Sequence, residues 1–144
     1  MLDFSVKGLY AVHFPNRFHE PGSCGTNRVR ERVIGWNSRM DLTGCTPFQR
    51  KVYAELRKIP IGKTVTYGEL ARLAGYPGAA RAVGTAMKKN RLPLVIPCHR
   101  VLPSAGGLGE YSAGKKWKRW LLEWEKCVII PKTKEGELTC SLKK

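Results

Sequence analysis

Between residues 66 and 90 the chain spells out two short helices and the turn that joins them. Thr66 stands where a helix begins. Its hydroxyl can accept from the third residue on, and Glu69 can reach back to the Thr66 N–H, a reciprocal capping box. Gly75 ends the segment, because a helix terminus favours a left-handed residue and glycine reaches that conformation without a Cβ clash. After the turn Tyr76-Pro77-Gly78 a second helical segment runs over 79–90 and closes at Asn90. Two short helices across a tight glycine-containing turn predict a helix-turn-helix. The same grammar appears upstream, in Thr46-Pro47-Phe48-Gln49. Thr46 caps, Pro47 suits the first turn and Gln49 completes the box. Phe48, Val52, Leu56 and Ile59 follow at helical spacing, until Pro60 and Gly62 stop the helix.

The second helix of the pair is built from small residues: Ala79, Ala80, Ala82, Gly84 and Ala86. Small side chains let a backbone approach a surface closely, and Arg81 stands out as the long side chain among them. Tight helix packing is one reading. DNA contact is the other, favoured by Lys88, Lys89 and Arg91 at the far end. Bulk charge agrees with the second. The net charge is +15. Residues 46–126 carry 16 Lys and Arg against 5 Asp and Glu, or +11; residues 1–45 have 6 against 4, and 127–144 have 4 against 2. A concentrated positive excess points to a polyanion such as nucleic acid; plain solubility is the alternative.

Hydrophobic residues make up 42% of the 144, enough for a buried core. In residues 2–14, Phe4, Val6, Tyr10, Val12 and Phe14 approach period two, which predicts a hairpin turning at Lys7-Gly8. Residues 15–27 read as loop and 28–36 as a short helix or strand. A last helix is predicted from about Lys115 to Glu125. Its apolar stripe is Trp117, Trp120, Leu121 and Trp124, with Lys115, Lys116, Lys118 and Arg119 off it. The tail 127–144 lacks periodicity and reads as flexible or as one edge hairpin. The fold class expected is α+β: a short, truncated, β-containing region over 1–45, a mainly helical, winged helix-turn-helix-like catalytic domain over 46–126, and a C-terminal tail. No apolar run approaches the roughly 20 residues of a membrane span. No signal peptide is visible, so a cytoplasmic monomer is expected, nuclear if the source is eukaryotic. The five cysteines, Cys24, Cys45, Cys98, Cys127 and Cys140, are odd in number and lack a CxxC pair. Cys24–Cys45 or Cys127–Cys140 disulfides belong to a hyperthermophile reading. His13, His19, Cys24 and Cys45 are too loosely spaced to predict a metal site. No cofactor is expected.

The chemistry concentrates in Ile96-Pro97-Cys98-His99-Arg100-Val101. A lone cysteine in an apolar run is usually inert. Here His99 adjoins it, Arg100 adds positive charge, and Glu125 ends an otherwise apolar helix. A base and a positive field lower a thiol's pKa. A carboxylate behind the imidazole would fix its tautomer.

These segments, taken in order, resemble a known family. "TPFQRKVY", "IPIGKTVTYGELA", "AARAVG", "IPCHRV", "EYSAG" and "WLLEWE", spread over residues 46–126, are similar to the O6-alkylguanine-DNA alkyltransferases. That resemblance implies direct-reversal repair: one irreversible transfer of an alkyl group from O6-alkylguanine, and on the same footing O4-alkylthymine, to Cys98. It implies His99 as the base acting through a water, Glu125 as its orienting acid, and Asn90 as the tie between helix and active-site loop. Tyr67 would meet the flipped base and the adjacent phosphate. Arg81 would fill the gap left in the base stack. Thr66, Ala80, Lys88, Lys89 and Arg100 join the implied DNA contacts. Val101, Tyr111, Ser112 and Pro93 are the implied pocket wall. The implied partner is duplex DNA, met at the minor groove, and the implied N-terminal region is a reduced ribonuclease-H-like sheet. Three other readings compete. An alkyltransferase-like protein would bind the lesion without transfer, but such proteins carry another residue, often tryptophan, where Cys98 stands. A helix-turn-helix regulator leaves "IPCHRV" unexplained. A cysteine hydrolase would leave the DNA features idle.

Overall fold

A computed structural model describes residues 2–5, 8–12, 40–125, 128–131 and 138–141 of the chain. The architecture is α+β and mostly helical, with three separate two-stranded ladders among the described residues. Strands β1 (Leu2–Ser5) and β2 (Gly8–Val12) pair antiparallel, with Ser5 opposite Gly8. Gly8 thus lies in a strand, and residues 13–39, with the expected loop and short element, fall outside the described residues.

Helix α1 spans Pro47–Lys58. Thr46 Oγ1 accepts from the Gln49 N–H at 3.2 Å and Gln49 Oε1 accepts from the Thr46 N–H at 2.8 Å, so the box is closed in both directions. Its buried face is Val52, Tyr53 and Leu56. Helix α2 (Tyr67–Leu73) repeats the device with Thr66 and Glu69. It ends at Gly75, whose φ is +86°. The Tyr76 N–H donates to the Ala71 carbonyl and the Gly75 N–H to that of Arg72, the double bond of a Schellman end. Helix α3 (Ala80–Lys88) starts without a side-chain cap and stops short of Asn90. The three helices bury one cluster that includes Leu70, Ala71, Val83, Ala86 and Ile96, and this cluster also holds Cys98 and Val101.

A two-residue parallel ladder carries this core to the site. Strand β3 (Val65–Thr66) pairs with β4 (Val101–Leu102), Val65 opposite Val101. The start of α2 is therefore clamped to the exit of the Cys98 segment. Helix α4 spans Lys115–Trp124. Its buried residues are Trp117, Lys118, Leu121 and Leu122. Leu122 joins Leu102 and Leu108 in a second apolar cluster. Trp120 and Trp124 are half-buried and stack at 6.0 Å with planes 9° apart. The expected stripe is thus rotated: Lys118, placed outside it by the sequence reading, is fully buried. Beyond α4, β5 (Val128–Pro131) and β6 (Leu138–Ser141) pair antiparallel, Val128 opposite Ser141. No described helix is long and apolar enough to cross a membrane.

Candidate active site

The loop after α3 is bent until its thiol lies beneath a cavity. Asn90 makes the bend. Its side-chain oxygen accepts from the Leu92 N–H at 2.9 Å, and its amide donates to the Ile96 carbonyl at 3.0 Å. Leu94 sits at φ +75°, a left-handed value that costs a non-glycine residue on the order of 1–2 kcal/mol. The Asn90 bonds and the Pro93–Ile96 bridge hold it there. The chain then passes through a short 3-10 turn, Cys98–Arg100, and leaves as β4.

Cys98 is 4% exposed and lies at the floor of a cavity of about 610 Å³. Tyr67 from α2, Gly84, Met87 and Lys88 from α3, and Pro103 with Gly109–Ser112 from the following loop form the walls. Gly109 is at φ +67°, and a Cβ there would stand 2.8 Å from Pro103 Cγ and 3.7 Å from the Tyr67 hydroxyl. Glycine keeps that wall open.

Behind the thiol lies a buried relay. His99 is 1% exposed, with Nε2 2.8 Å from Glu125 Oε1. Arg100 donates from Nη2 to Oε1 at 2.8 Å and from Nε to Oε2 at 2.9 Å. Its Nη1 donates to the Ile59 carbonyl at 2.7 Å, anchoring the pair to the end of α1. Burial alone would raise the Glu125 carboxyl, but the bonds from His99 and Arg100 outweigh it and hold the pKa at about 2. A carboxylate only accepts, so His99 Nε2 carries the hydrogen and Nδ1 keeps the lone pair. Nδ1 is buried and makes no hydrogen bond to the protein. Burial lowers the His99 pKa more than Glu125 raises it, so the ring is neutral and Nδ1 is a base.

The thiol departs from expectation. Burial pushes Cys98 up, while hydrogen bonds from Asn90 and Tyr111 and the charge of Lys118 pull down; burial wins. The resting pair is therefore a neutral thiol beside a neutral imidazole, not a preformed thiolate. Arg100 does not supply the expected positive field, because Glu125 neutralises it. Tyr67 is likewise raised, by burial first and then by Cys98 and Glu110, so its phenol keeps its proton and can donate.

A family profile described as "6-O-methylguanine DNA methyltransferase, DNA binding domain" matches residues 47–127. The chain belongs to that family. A methylated-DNA–protein-cysteine methyltransferase from Shigella flexneri is 43% identical over 132 residues, covering 85% of this chain and 77% of that protein. One of the same name from Mycobacterium bovis is 49% identical over 131 residues, covering 85% and 79%. Among solved structures, Mycobacterium tuberculosis OGT in complex with DNA superposes with a TM-score of 0.70 at 35% identity, over 87% of this chain and 85% of that one. Schizosaccharomyces pombe Atl1, bound to DNA containing O6-carboxymethylguanine, gives 0.57 at 40% identity, over 65% and 88%.

Within this methyltransferase-family chain the expected site residues separate into three groups. Cys98, His99, Glu125, Asn90, Tyr67, Tyr111 and Ser112 converge on the cavity or on the relay behind it. Arg81, Lys88 and Lys89 are exposed on or just after α3, and Ala80 is half-buried at its start. The rest sit elsewhere than expected. Arg100 is 4% exposed and committed to Glu125, which removes it from a DNA-facing surface. Thr66 Oγ1 is engaged with Glu69, donating at 2.9 Å to its carboxylate. Val101 and Pro93 are buried and do not line the cavity. Cys45 is a free thiol, and the expected Cys24–Cys45 pairing involves a residue outside the described ones. His13, His19, Cys24 and Cys127 lie outside the described residues. The sequence reading missed Gly84, Met87, Pro103 and Gly109, which only the tertiary fold brings together. It also missed Lys118, whose signal was present: Lys118, Leu121, Leu122 and Glu125 fall at i, i+3, i+4 and i+7.

Proposed function

We propose that this chain repairs DNA by direct reversal, moving the alkyl group of O6-alkylguanine irreversibly to Cys98. The observation that carries the reading is the buried thiol at a cavity floor with the His99–Glu125 relay behind it, in a chain of this family. Family relatives are solved with DNA. The O6 atom lies at a base edge inside the stack, so the nucleotide is flipped into the cavity, at a cost of a few kcal/mol that is smaller for a poorly paired lesion. Arg81, exposed at the start of α3, fills the vacated stack from the minor-groove side. Lys88 and Lys89 contact phosphates, a sequence-neutral and salt-dependent attraction.

The transfer balances as follows. Cys98 gives its proton, through a water, to His99 Nδ1. Its sulfur forms the new S–C bond as the C–O6 bond breaks, and the electron pair goes to the guanine ring. The Tyr67 O–H hydrogen-bonds a ring nitrogen and disperses that charge. The guanine is reprotonated, and His99 returns its proton to solvent. A thioether has no route back, so each molecule acts once. O4-alkylthymine, whose alkyl–oxygen bond has the same character, is a second substrate.

The test is the intact mass of the protein after incubation with one equivalent of duplex bearing O6-methylguanine. One CH2 is gained by the wild type and none by Cys98→Ala. Tight lesion binding with no mass gain would instead establish a lesion-binding protein without transfer, the reading that the Atl1 likeness favours and the thiol at position 98 opposes.

A further inference from the structure

During transfer the sulfur, the moving carbon and O6 lie on one line, so anything else attached to that carbon projects sideways onto the cavity walls. Those walls decide which O6 substituents are taken. Two of the lining residues carry charge, Lys88 on α3 and Glu110 on the loop before α4. In the reading above Lys88 is taken up by phosphate. Glu110 has only a weak partner. Among the described residues its ion pair is with Lys115, at 3.4 Å, with the two side chains 75% and 56% exposed; an exposed pair of this kind holds loosely and is screened. The Gly114 N–H donates to the Tyr111 carbonyl at 2.9 Å, and this turn into α4 brings Lys115 back beside Glu110. The carboxylate also acts inside the cavity. Burial raises the Tyr67 phenol most, Cys98 next, and the charge of Glu110 adds to both. Gly109, the residue before it, borders Tyr67 directly: a Cβ there would lie 3.7 Å from the Tyr67 hydroxyl.

We propose that Glu110 is a specificity-determining residue: its carboxylate disfavours O6 substituents that carry negative charge, relative to neutral substituents of the same size. The proposal rests on the alkyl-transfer reading above. A substituent such as carboxymethyl enters a cavity whose remaining wall charge, with Lys88 on phosphate, is negative. Like charges facing each other across a partly enclosed space repel more strongly than in bulk water, because less solvent lies between them. Discrimination by a repulsive element needs no contact with the favoured group. That suits a wall that also has to take methyl, which offers nothing to recognise. The bond changes are those already given: S–C forms, C–O6 breaks, and the carboxylate travels unchanged on the transferred group. The bland role for Glu110 is a surface ion pair that steadies the start of α4, and the two roles predict different responses to removal of Lys115.

The experiment uses two duplexes matched in size and different in charge, bearing O6-carboxymethylguanine or its neutral isostere O6-carbamoylmethylguanine. Single-turnover transfer from each is measured for wild type, Glu110→Gln and Lys115→Gln, with O6-methylguanine duplex as reference. The neutral-to-anionic rate ratio is formed within each variant, so a general change in activity cancels. In Glu110→Gln the ratio is expected to fall by about tenfold from its wild-type value, the scale of one like-charge pair across a partly wet cavity. In Lys115→Gln it stays at or above the wild-type value, because the carboxylate has lost its counter-ion. A ratio unchanged in Glu110→Gln overturns the proposal. So does a ratio that falls in both variants, the result a merely structural ion pair gives. If the wild type takes methyl but neither larger group, the ratio is read instead from lesion binding by Cys98→Ala with and without Glu110→Gln, and the same outcomes decide. A wild type that transfers nothing even from O6-methylguanine defeats the underlying function instead, a result the reference duplex keeps separate.

Discussion

Helices α3 and α4 are both short and both rich in cations, yet they place them in opposite ways. On α3, Arg81 and Lys88 are exposed around a buried face of Val83, Ala86 and Met87. On α4, Lys115, Lys116 and Arg119 are exposed but Lys118 is driven into the core, and the helix ends on a buried Glu125. Exposed charges act at a distance and are screened by salt; buried ones act on a few fixed neighbours and must be matched. The difference teaches that position decides what a cation can reach: those on α3 face outward, while Lys118 meets the buried carbonyls of Val101 and Glu110. Composition alone merges them.

The sharpest way to break this division is Glu125→Ala. It leaves Arg100 and His99 buried without their carboxylate. A loss of roughly 3–5 kcal/mol in unfolding free energy by denaturant titration is expected, together with a drop of about two orders of magnitude or more in transfer rate. Stability within 1 kcal/mol of wild type would show that the relay is not what holds the loop.

Acid titration comes next. The Glu125 carboxyl ordinarily titrates near 4.5 and is held at about 2 in the fold. The unfolded chain therefore binds more protons between those values, and stability falls as pH drops through that window, by roughly 3 kcal/mol. Glu125→Gln flattens that window. The acid limb of the transfer rate belongs to His99, whose pKa is lowered by burial, so activity persists to below about pH 6.5.

Gly109→Ala sharpens the boundary between pocket and core. Its Cβ would meet Pro103 at 2.8 Å in a backbone at φ +67°. About 1–3 kcal/mol of destabilisation is expected, with transfer slowed more for bulky alkyl groups than for methyl, read from competition between two lesion duplexes. Smallest is Lys89→Ala, exposed at the end of α3 and outside the cavity wall. Stability changes by less than about 0.5 kcal/mol, while the salt slope of duplex binding falls by about 1.

What the sequence made readable was local. Both capping boxes and the Gly75 terminus depend on partners within a few residues, so Thr46, Thr66 and Gly75 declare themselves. Cys98 and His99 are adjacent, and Glu125 is conspicuous at the end of an apolar helix. What failed depended on burial. Arg100 reads as a surface cation until Glu125 is found 2.8 Å away. Spacing places the helix α4 stripe on Trp117, Trp120, Leu121 and Trp124; Trp117 and Leu121 are buried, but Lys118 and Leu122 take the other buried places. The direction of the thiol shift also reversed, since desolvation has no signature in a string of letters. The cavity walls come from segments as distant as Tyr67 and Ser112, and no spacing rule joins them.

The central claim, that the sulfur of residue 98 is the acceptor, is tested most directly by locating the transferred carbon. After reaction with one equivalent of O6-methylguanine duplex, the digested protein is sequenced by tandem mass spectrometry. The account predicts a methyl group on Cys98 alone, at no more than one per chain, with Cys45 unmodified. A methyl group on another residue, or an unmodified Cys98 beside repaired DNA, would contradict it.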